Sequence, residues 1–271
     1  MNAGPGRRAR PEAAPAERPP GSPERPAPVV AVDADLAEHF ATLARDSGER
    51  AHVDALLRAL DVAIVAVALI LLAPLLLLVA VALLLSSGRP LLYRGLRVGR
   101  HGHVFTMLKF RTLAPDAEVR LAATYGPDLT RLTELEVTSF GRVLRAAQLD
   151  ELPQLWNVLN GDMSIVGPRP IRPAFFAELV SDIPQYWQRL VVRPGLTGFA
   201  QMRMTREETW QEKLAHDLEY VADRSVGLYA RVIAATSWRV LVQTARAVGG
   251  MVLSLGRRRG RGGPRSPRPG S

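Results

Sequence analysis

Residues 62–85 form a run of twenty-four positions without a charged or strongly polar side chain. As an α-helix such a run is roughly 36 Å long, enough to cross a hydrocarbon layer about 30 Å thick. A helix of a soluble core shows one apolar stripe, whereas this run is apolar all round, so membrane association is expected. Pro74 lies at its midpoint, where it removes one backbone hydrogen bond and clashes with the preceding turn; a kink is expected there. The residues leave two geometries open, a kinked spanning helix or a helix-break-helix hairpin that enters and leaves by one leaflet. Arg89, Arg94, Arg97, Arg100, Lys109 and Arg111 follow the run with no acid among them, while Arg45, Arg50 and Arg58 precede it among acids. That asymmetry places the downstream part of the chain on the cytoplasmic side of a plasma membrane.

Domain organisation follows from what the two ends lack. Residues 1–50 open with eight prolines in the first twenty-nine positions and almost no large apolar side chains there. They cannot bury enough surface to offset their ordering entropy and are expected to be a disordered tail. Residues 255–271 carry six arginines and no acid, a second solvated tail unless an anionic surface such as a membrane holds it. Between the tails the expectation is a membrane-inserted helix over 57–88, broken at Pro74, and a single domain over 89–254. The net charge of +9 points to polyanionic partners, with nucleic acid, anionic lipid and nucleotide phosphate all qualifying. The chain has no cysteine, which excludes disulfides and thiolate metal sites. The N-terminus has no apolar stretch of the kind a cleavable signal peptide needs.

From residue 91 to 253 the pattern breaks into short elements separated by turns at Gly99-Arg100-His101-Gly102, Ala114-Pro115, Gly126-Pro127, Asn160-Gly161 and Gly167-Pro168. Residues 104–111 read as a short strand, and 116–125, 153–159, 173–179, 207–221 and 227–247 as helices. The expected fold is a helix-rich α+β domain attached to the membrane helix. No glycine-rich dinucleotide fingerprint or Walker loop is present, so any nucleotide must be bound by another device. The last helix pairs many apolar residues, Val232, Ile233, Trp238 and Leu241 among them, with only Arg231, Arg239 and Arg246. It suits the membrane interface plane as well as a core.

Chemistry is most concentrated around Asp150 and Glu151. Pro153 is well placed as a first helical residue, which sets both acids just ahead of a helix N-terminus, with Leu152, Leu155 and Leu159 as an apolar stripe behind them. Backbone amides and the helix dipole there favour an ionised carboxylate, so Asp150 is expected to be anionic and able to attack phosphorus. Glu151 can hold a divalent cation, since Mg2+ binds through one or two carboxylates plus substrate phosphate oxygens. Local sequence alone favours two acids that merely cap the helix, since capping acids are common. Lys109, Arg111, Arg145 and Arg169 are the cations suited to clamp a diphosphate. Arg169 sits between two prolines that limit its backbone, and Arg145 stands five residues before Asp150. Asp162 can orient a neighbour or cap a turn. The segment from Arg193 to Gln201 supplies a further cation and two glycines that let backbone come close to a ligand.

Three stretches, Lys109-Phe110-Arg111-Thr112, the long segment from Leu149 through Gly161-Asp162-Met163-Ser164 to Gly167-Pro168-Arg169-Pro170, and Arg193-Pro194-Gly195-Leu196-Thr197-Gly198, together resemble the bacterial sugar transferases. These are the monotopic polyprenyl-phosphate sugar-1-phosphate transferases, which start glycan assembly on a lipid carrier. The resemblance covers roughly residues 57–248, and its extended match overturns the simple capping explanation of the acids. It implies that Asp150 attacks the sugar-bearing phosphate of a nucleotide diphospho-sugar, giving an aspartyl-phosphosugar that polyprenyl phosphate then takes up. It implies that Glu151 ligates Mg2+, that Lys109, Arg111, Arg145, Asp162, Arg169, Arg193 and Gln201 serve substrate, and that the site is cytoplasmic. In that family the membrane segment starts with Arg and Asp three apart, as Arg58 and Asp61 are, breaks at a proline and returns to the same side. A re-entrant hairpin is therefore implied.

The pattern departs from the family at several points. Phe199 stands where tryptophan is usual, Met202-Arg203-Met204-Thr205-Arg206 replaces a segment built around Asn-Gly-Arg, Glu136 stands where arginine is common, and Tyr229 where aspartate is frequent. These differences bear on the sugar rather than on the reaction class. A competing function is a membrane scaffold that has lost its chemistry, against which Asp150 and Glu151 both stand intact. Nucleic-acid binding would need basic residues interleaved with stacking aromatics, and the arginine-rich C-terminal tail has no aromatic. Nucleic acid is not an expected partner; a bilayer is, and a homodimer is left open.

Overall fold

The apolar run lies inside one 37-residue helix, α1 (Ala51–Ser87), in a computed structural model that describes residues 50–121, 126–203 and 209–242. Except for Arg50, the two expected tails fall outside the described residues, as do the end of the last helix and most of the Met202–Arg206 segment. Helical backbone continues through Pro74. One proline removes one donor, and helical hydrogen bonding resumes on either side of it, which leaves room for a bend there within one helix. α1 is long and apolar enough to cross a membrane by length and composition. Ile70, Leu71, Leu77, Leu78 and Leu85 are largely exposed along it.

Both ends of α1 are nonetheless held by the rest of the protein. At the start, Arg50 donates to the Ala222 carbonyl, Asp54 pairs with Arg224 at 2.7 Å, and Arg58 donates to the carbonyls of Val158 and Leu159 at 2.6 and 2.9 Å. At the far end Val79 and Leu83 pack with Phe110 and Leu144 in a small apolar cluster. Asp61 is almost fully buried and accepts from Ser164 Oγ, the Ile165 amide and the Tyr229 hydroxyl at 3.1, 2.8 and 2.8 Å. A buried carboxylate is tolerable only with its lone pairs satisfied in this way.

Beyond α1 the chain is a helix-rich α+β body. An antiparallel hairpin, β1 (Leu92–Val98) and β2 (Val104–Phe110), pairs Tyr93 with Lys109 and Val98 with Val104. Helices α2 (Ala117–Leu121), α3 (Gly126–Leu135) and α4 (Ser139–Ala146) follow. The Thr138 side chain caps α4 by accepting from the Gly141 amide. α5 (Gln154–Asn160) stops at Gly161, whose φ of 91° is the left-handed conformation that favours glycine. β3 (Ser164–Val166) then pairs in parallel with β4 (Gly195–Thr197), across α6 (Pro173–Asp182) and the 3₁₀ segment Pro184–Val191. α7 (Phe199–Arg203), α8 (Trp210–Asp223) and a helix over 226–242, α9, complete the described chain. α8 opens with a capping box between Thr209 and Glu212.

The main core gathers Leu57 and Val65 of α1, Phe105 and Met107 of β2, Leu155 and Val158 of α5, Ile165 of β3, and Tyr229 and Val232 of α9. Each such buried side chain contributes about 1.5–3 kcal/mol. A second cluster joins Val98, Phe176, Tyr186, Trp187 and Leu214. Asn157 sets the register of α5 against β2: its Oδ1 accepts from the Leu108 amide at 2.9 Å and its Nδ2 donates to the Thr106 carbonyl at 2.8 Å. This bond pair fixes the distance between Lys109 on the strand and the acids that precede α5.

Candidate active site

Gln148 takes the left-handed conformation, φ 55°, and turns the chain into a short 3₁₀ turn, Leu149–Glu151. Pro153 caps α5 rather than opening it, one position from the sequence expectation. Asp150 is left 8% exposed at the wall of a cavity of about 640 Å³. Lys109, Arg111, Arg145, Glu151 and Arg169 line the same cavity, so all four cations foreseen for a diphosphate converge with both acids. Lys109 Nζ lies 2.5 Å from Glu151 Oε1. Arg145, in the last turn of α4, donates from Nε to Thr112 Oγ1 at 2.9 Å, which aims its guanidinium across the cavity wall. Arg111 donates from Nη2 to the carbonyls of Ser87 and Gly88, tying the end of α1 to the site. Its buried Nε and Nη1 have no protein partner. Such unmet donors are costly unless an anion or water satisfies them.

The two acids are driven apart electrostatically. Burial pushes the Asp150 carboxyl up, and Glu151 pushes it further, while Lys109 and Arg145 pull it back; the balance leaves it above the ordinary aspartate value. That direction is opposite to the one expected from a helix end, because loss of hydration outweighs the dipole. Burial also pushes Glu151 up, but Lys109 and Arg169 outweigh it and hold that carboxyl below the usual range. Two neighbouring carboxyls thus have different proton affinities, the pattern that separates chemical roles in an active site.

A second cavity of about 320 Å³ shares a wall with the first, formed by Arg97, Lys109, Glu151, Arg169 and Arg172. Gln201 lines this one. Arg97, read from sequence only as part of the positive flank, and Arg172 were not foreseen as site residues. Burial lowers the Arg97 pKa, and the charges of Arg172 and Arg169 lower it further against the influence of Tyr93. An unrelieved cluster of guanidinium groups of this kind suits a polyanion. The signal was present in the alternation Tyr93, Gly95, Arg97, which puts Arg97 on one face of β1 once the strand is recognised.

Arg193 and Asp162 are placed elsewhere. Arg193 Nε donates to the Gly161 carbonyl at 2.9 Å, and its guanidinium faces Arg58, Asp61 and Arg100 in a smaller crevice. Asp162 accepts from Asn157 Nδ2 at 3.2 Å in the turn after α5. The close approach made by Gly195 and Gly198 is to the backbone of Gly167: a Cβ at Gly195 would meet the Gly167 nitrogen at 2.1 Å, and one at Gly198 the Gly167 oxygen at 2.5 Å. Both glycines thus serve the β3–β4 pairing, and both also line the second cavity.

No group of three or more metal-ligating side chains occurs among the described residues. Glu151, kept anionic at the cavity wall beside Asp150, fits the other arrangement, in which one or two carboxylates share Mg2+ with substrate phosphates.

An apolar helix fastened to an α+β body, with an acid pair among converging cations, defines a membrane-associated enzyme of phosphate-bearing substrates. Residues 53–243 match the bacterial sugar transferase family, and the chain belongs to it. It is 41% identical over 194 residues to the UDP-glucose:undecaprenyl-phosphate glucose-1-phosphate transferase of Caulobacter vibrioides, a match that covers 69% of this chain and 70% of that protein. A protein of the same description from Xanthomonas campestris pv. campestris is 38% identical over 190 residues, 68% of this chain and 38% of its own length. The UDP-N-acetylgalactosamine-undecaprenyl-phosphate N-acetylgalactosaminephosphotransferase of Aeromonas hydrophila is 33% identical over 187 residues, 68% of this chain and 43% of the relative. The chain thus spans most of the Caulobacter protein and well under half of the Xanthomonas one.

Proposed function

We propose that the protein is a polyprenyl-phosphate sugar-1-phosphate transferase that moves a sugar-1-phosphate from a UDP-sugar to undecaprenyl phosphate and so begins exopolysaccharide or related glycan assembly. The observation that carries this is the convergence of Asp150, Glu151, Lys109, Arg111, Arg145 and Arg169 on one cavity. In the first step a carboxylate oxygen of Asp150 bonds to the sugar-bearing phosphorus, the bond from that phosphorus to the bridging oxygen breaks, and uridine monophosphate leaves with the electron pair. In the second, a phosphate oxygen of the lipid attacks the same phosphorus and the aspartyl oxygen departs, restoring Asp150. Arg111, with its two unmet donors, and Arg169 hold phosphate oxygens, while Arg145 and Lys109 oppose the charge around Asp150. Glu151, with the substrate diphosphate, would hold Mg2+, which when bound neutralises charge on the leaving group.

The same reading puts α1 in the plasma membrane as a re-entrant helix, bent about Pro74, with the catalytic body in the cytoplasm. It is supported by the attachment of both ends of α1 to one body, through Asp54–Arg224 at one end and Arg111 with Ser87 and Gly88 at the other, and by the positive flank that follows it.

The deciding assay is release of uridine monophosphate by the detergent-solubilised protein given undecaprenyl phosphate, magnesium and a panel of UDP-sugars. Turnover with one sugar, abolished in Asp150→Asn and reduced together with its magnesium response in Glu151→Gln, is expected. Substantial turnover in Asp150→Asn would remove the covalent route, and silence of the folded wild type across the panel would remove the activity.

A further inference from the structure

Asp150 lines the larger of the two adjoining cavities and not the smaller. The cations Arg97, Lys109, Arg169 and Arg172 form the wall between them. A diphosphate held by those cations sits at that wall. Displacement at phosphorus is in line, so the attacking and leaving oxygens lie on opposite sides of the reacting atom. With the attacking carboxylate on the side of the larger cavity, the leaving group points into the smaller one.

The smaller cavity is furnished for something other than phosphate. Gln154 is only 3% exposed, and its Nε2 has no hydrogen-bond partner. The buried Nε2 of Gln201, on the same lining, also has none. Buried amide donors are nearly always met, so two unmet donors at one cavity point to an acceptor that a ligand supplies. The same lining carries an aromatic pair, the rings of Phe175 and Trp210, which meet edge to face with centroids 5.1 Å apart. A flat ring that carries carbonyl acceptors matches both features, by contact with an aromatic face and by acceptance from carboxamides.

On the transferase reading above, we infer that the smaller cavity is the nucleoside subsite, with Gln154 and Gln201 donating to the carbonyl oxygens of a pyrimidine base against Phe175 and Trp210. The sugar then stays with Asp150 in the larger cavity when the nucleotide leaves. Neither Gln154 nor the two aromatic residues stood out as site residues in the sequence.

The test is equilibrium binding of uridine monophosphate and of inorganic diphosphate to the full-length detergent-solubilised protein, as wild type, Gln154→Leu and Gln201→Leu. Loss of one donor to a buried carbonyl is expected to weaken uridine monophosphate roughly tenfold in each variant. Diphosphate, which meets only the cations, is expected to bind unchanged, and its retention also reports that the variant is folded. If Gln154→Leu loses both ligands, Gln201→Leu decides. Unchanged uridine monophosphate binding in a folded variant overturns the assignment. So does an altered ranking of UDP-sugars with uridine monophosphate binding intact, since the smaller cavity would then hold the sugar. A wild type that binds uridine monophosphate through these amides but transfers nothing would sink the transferase reading and leave the subsite standing. A wild type that transfers, with nucleotide binding indifferent to both substitutions, would sink the subsite alone.

Discussion

At the scale of single residues, Asp150 and Glu151 are neighbours in sequence whose environments set opposite proton affinities. Asp150 is raised in the folded state, so its ionisation works against folding: stability falls as pH climbs from the ordinary aspartate value through the raised one. Glu151 is lowered, so it contributes stability that is present above the ordinary glutamate value and is lost as pH falls through the lowered one. On the proposed covalent route Asp150 must be ionised to attack, which places the acid limb of the rate profile above the ordinary aspartate range. Lys109 is the strongest attraction opposing the rise of Asp150. Lys109→Met is therefore expected to move that limb to higher pH, as read from kcat/KM against pH; a limb that stays in place or moves down would show that Lys109 does not set the ionisation of Asp150. The converging cations were legible from sequence because each sits in a distinctive local setting, such as Arg169 between prolines. Arg193 had a setting just as distinctive, yet its Nε donates to the Gly161 carbonyl and the side chain lines a separate crevice. Motif context reports that a cation is held, not what holds it.

At the scale of elements, α1 is more than an anchor, because its first turns complete the framework of the site. Arg58 satisfies two carbonyls at the C-terminal end of α5, the helix whose other end follows Asp150 and Glu151. Asp61 gathers donors from β3 and α9 in one buried contact, and Tyr229, whose hydroxyl burial and then the Asp61 charge push well above the usual tyrosine value, remains a donor throughout. Asp61→Ala leaves three donors unmet, at about 1–3 kcal/mol for each that stays buried. Tyr229→Phe removes one bond and leaves two, a loss of about 1 kcal/mol. Thermal unfolding in detergent should show a far larger drop for the first variant than for the second; equal drops would mean that Asp61 is held mainly by Tyr229. The ion pair of Arg120 with Glu136 at 2.7 Å is an exposed contact, worth little to stability. Long periodic elements such as β2, α5, α6 and α8 could be read from sequence to within a few residues. β3 and β4 have three residues each and no room for a period. Their pairing depends on Gly167 meeting Gly195, a contact between segments 28 positions apart (195 − 167) that no local pattern encodes.

At the scale of the whole molecule, the length of α1 and its attachments constrain each other. Thirty-seven residues of straight helix extend about 55 Å, well beyond the hydrocarbon thickness. The same body grips it at Arg50, Asp54, Arg58 and Asp61 near its start and at Val79, Leu83 and Ser87 near its end. A water-exposed body cannot lie on both faces of a bilayer, so the attachment of both ends of α1 to one body supports the proposed return of the helix to the face it left. The exposed apolar residues Ile70, Leu71, Leu77 and Leu78 flank Pro74, where the deepest part of a re-entrant path would meet lipid. Because the chain has no cysteine, a single introduced thiol reports position without background. With Ser22→Cys ahead of α1 and, separately, Ser181→Cys on an exposed site at the end of α6, a membrane-impermeant maleimide added to intact cells is expected to label neither. Both should react once the membrane is permeabilised. Labelling of Ser22→Cys alone in intact cells would mean that α1 spans the bilayer, and the contacts of Arg50 and Asp54 with Ala222 and Arg224 would then have to be absent in the membrane.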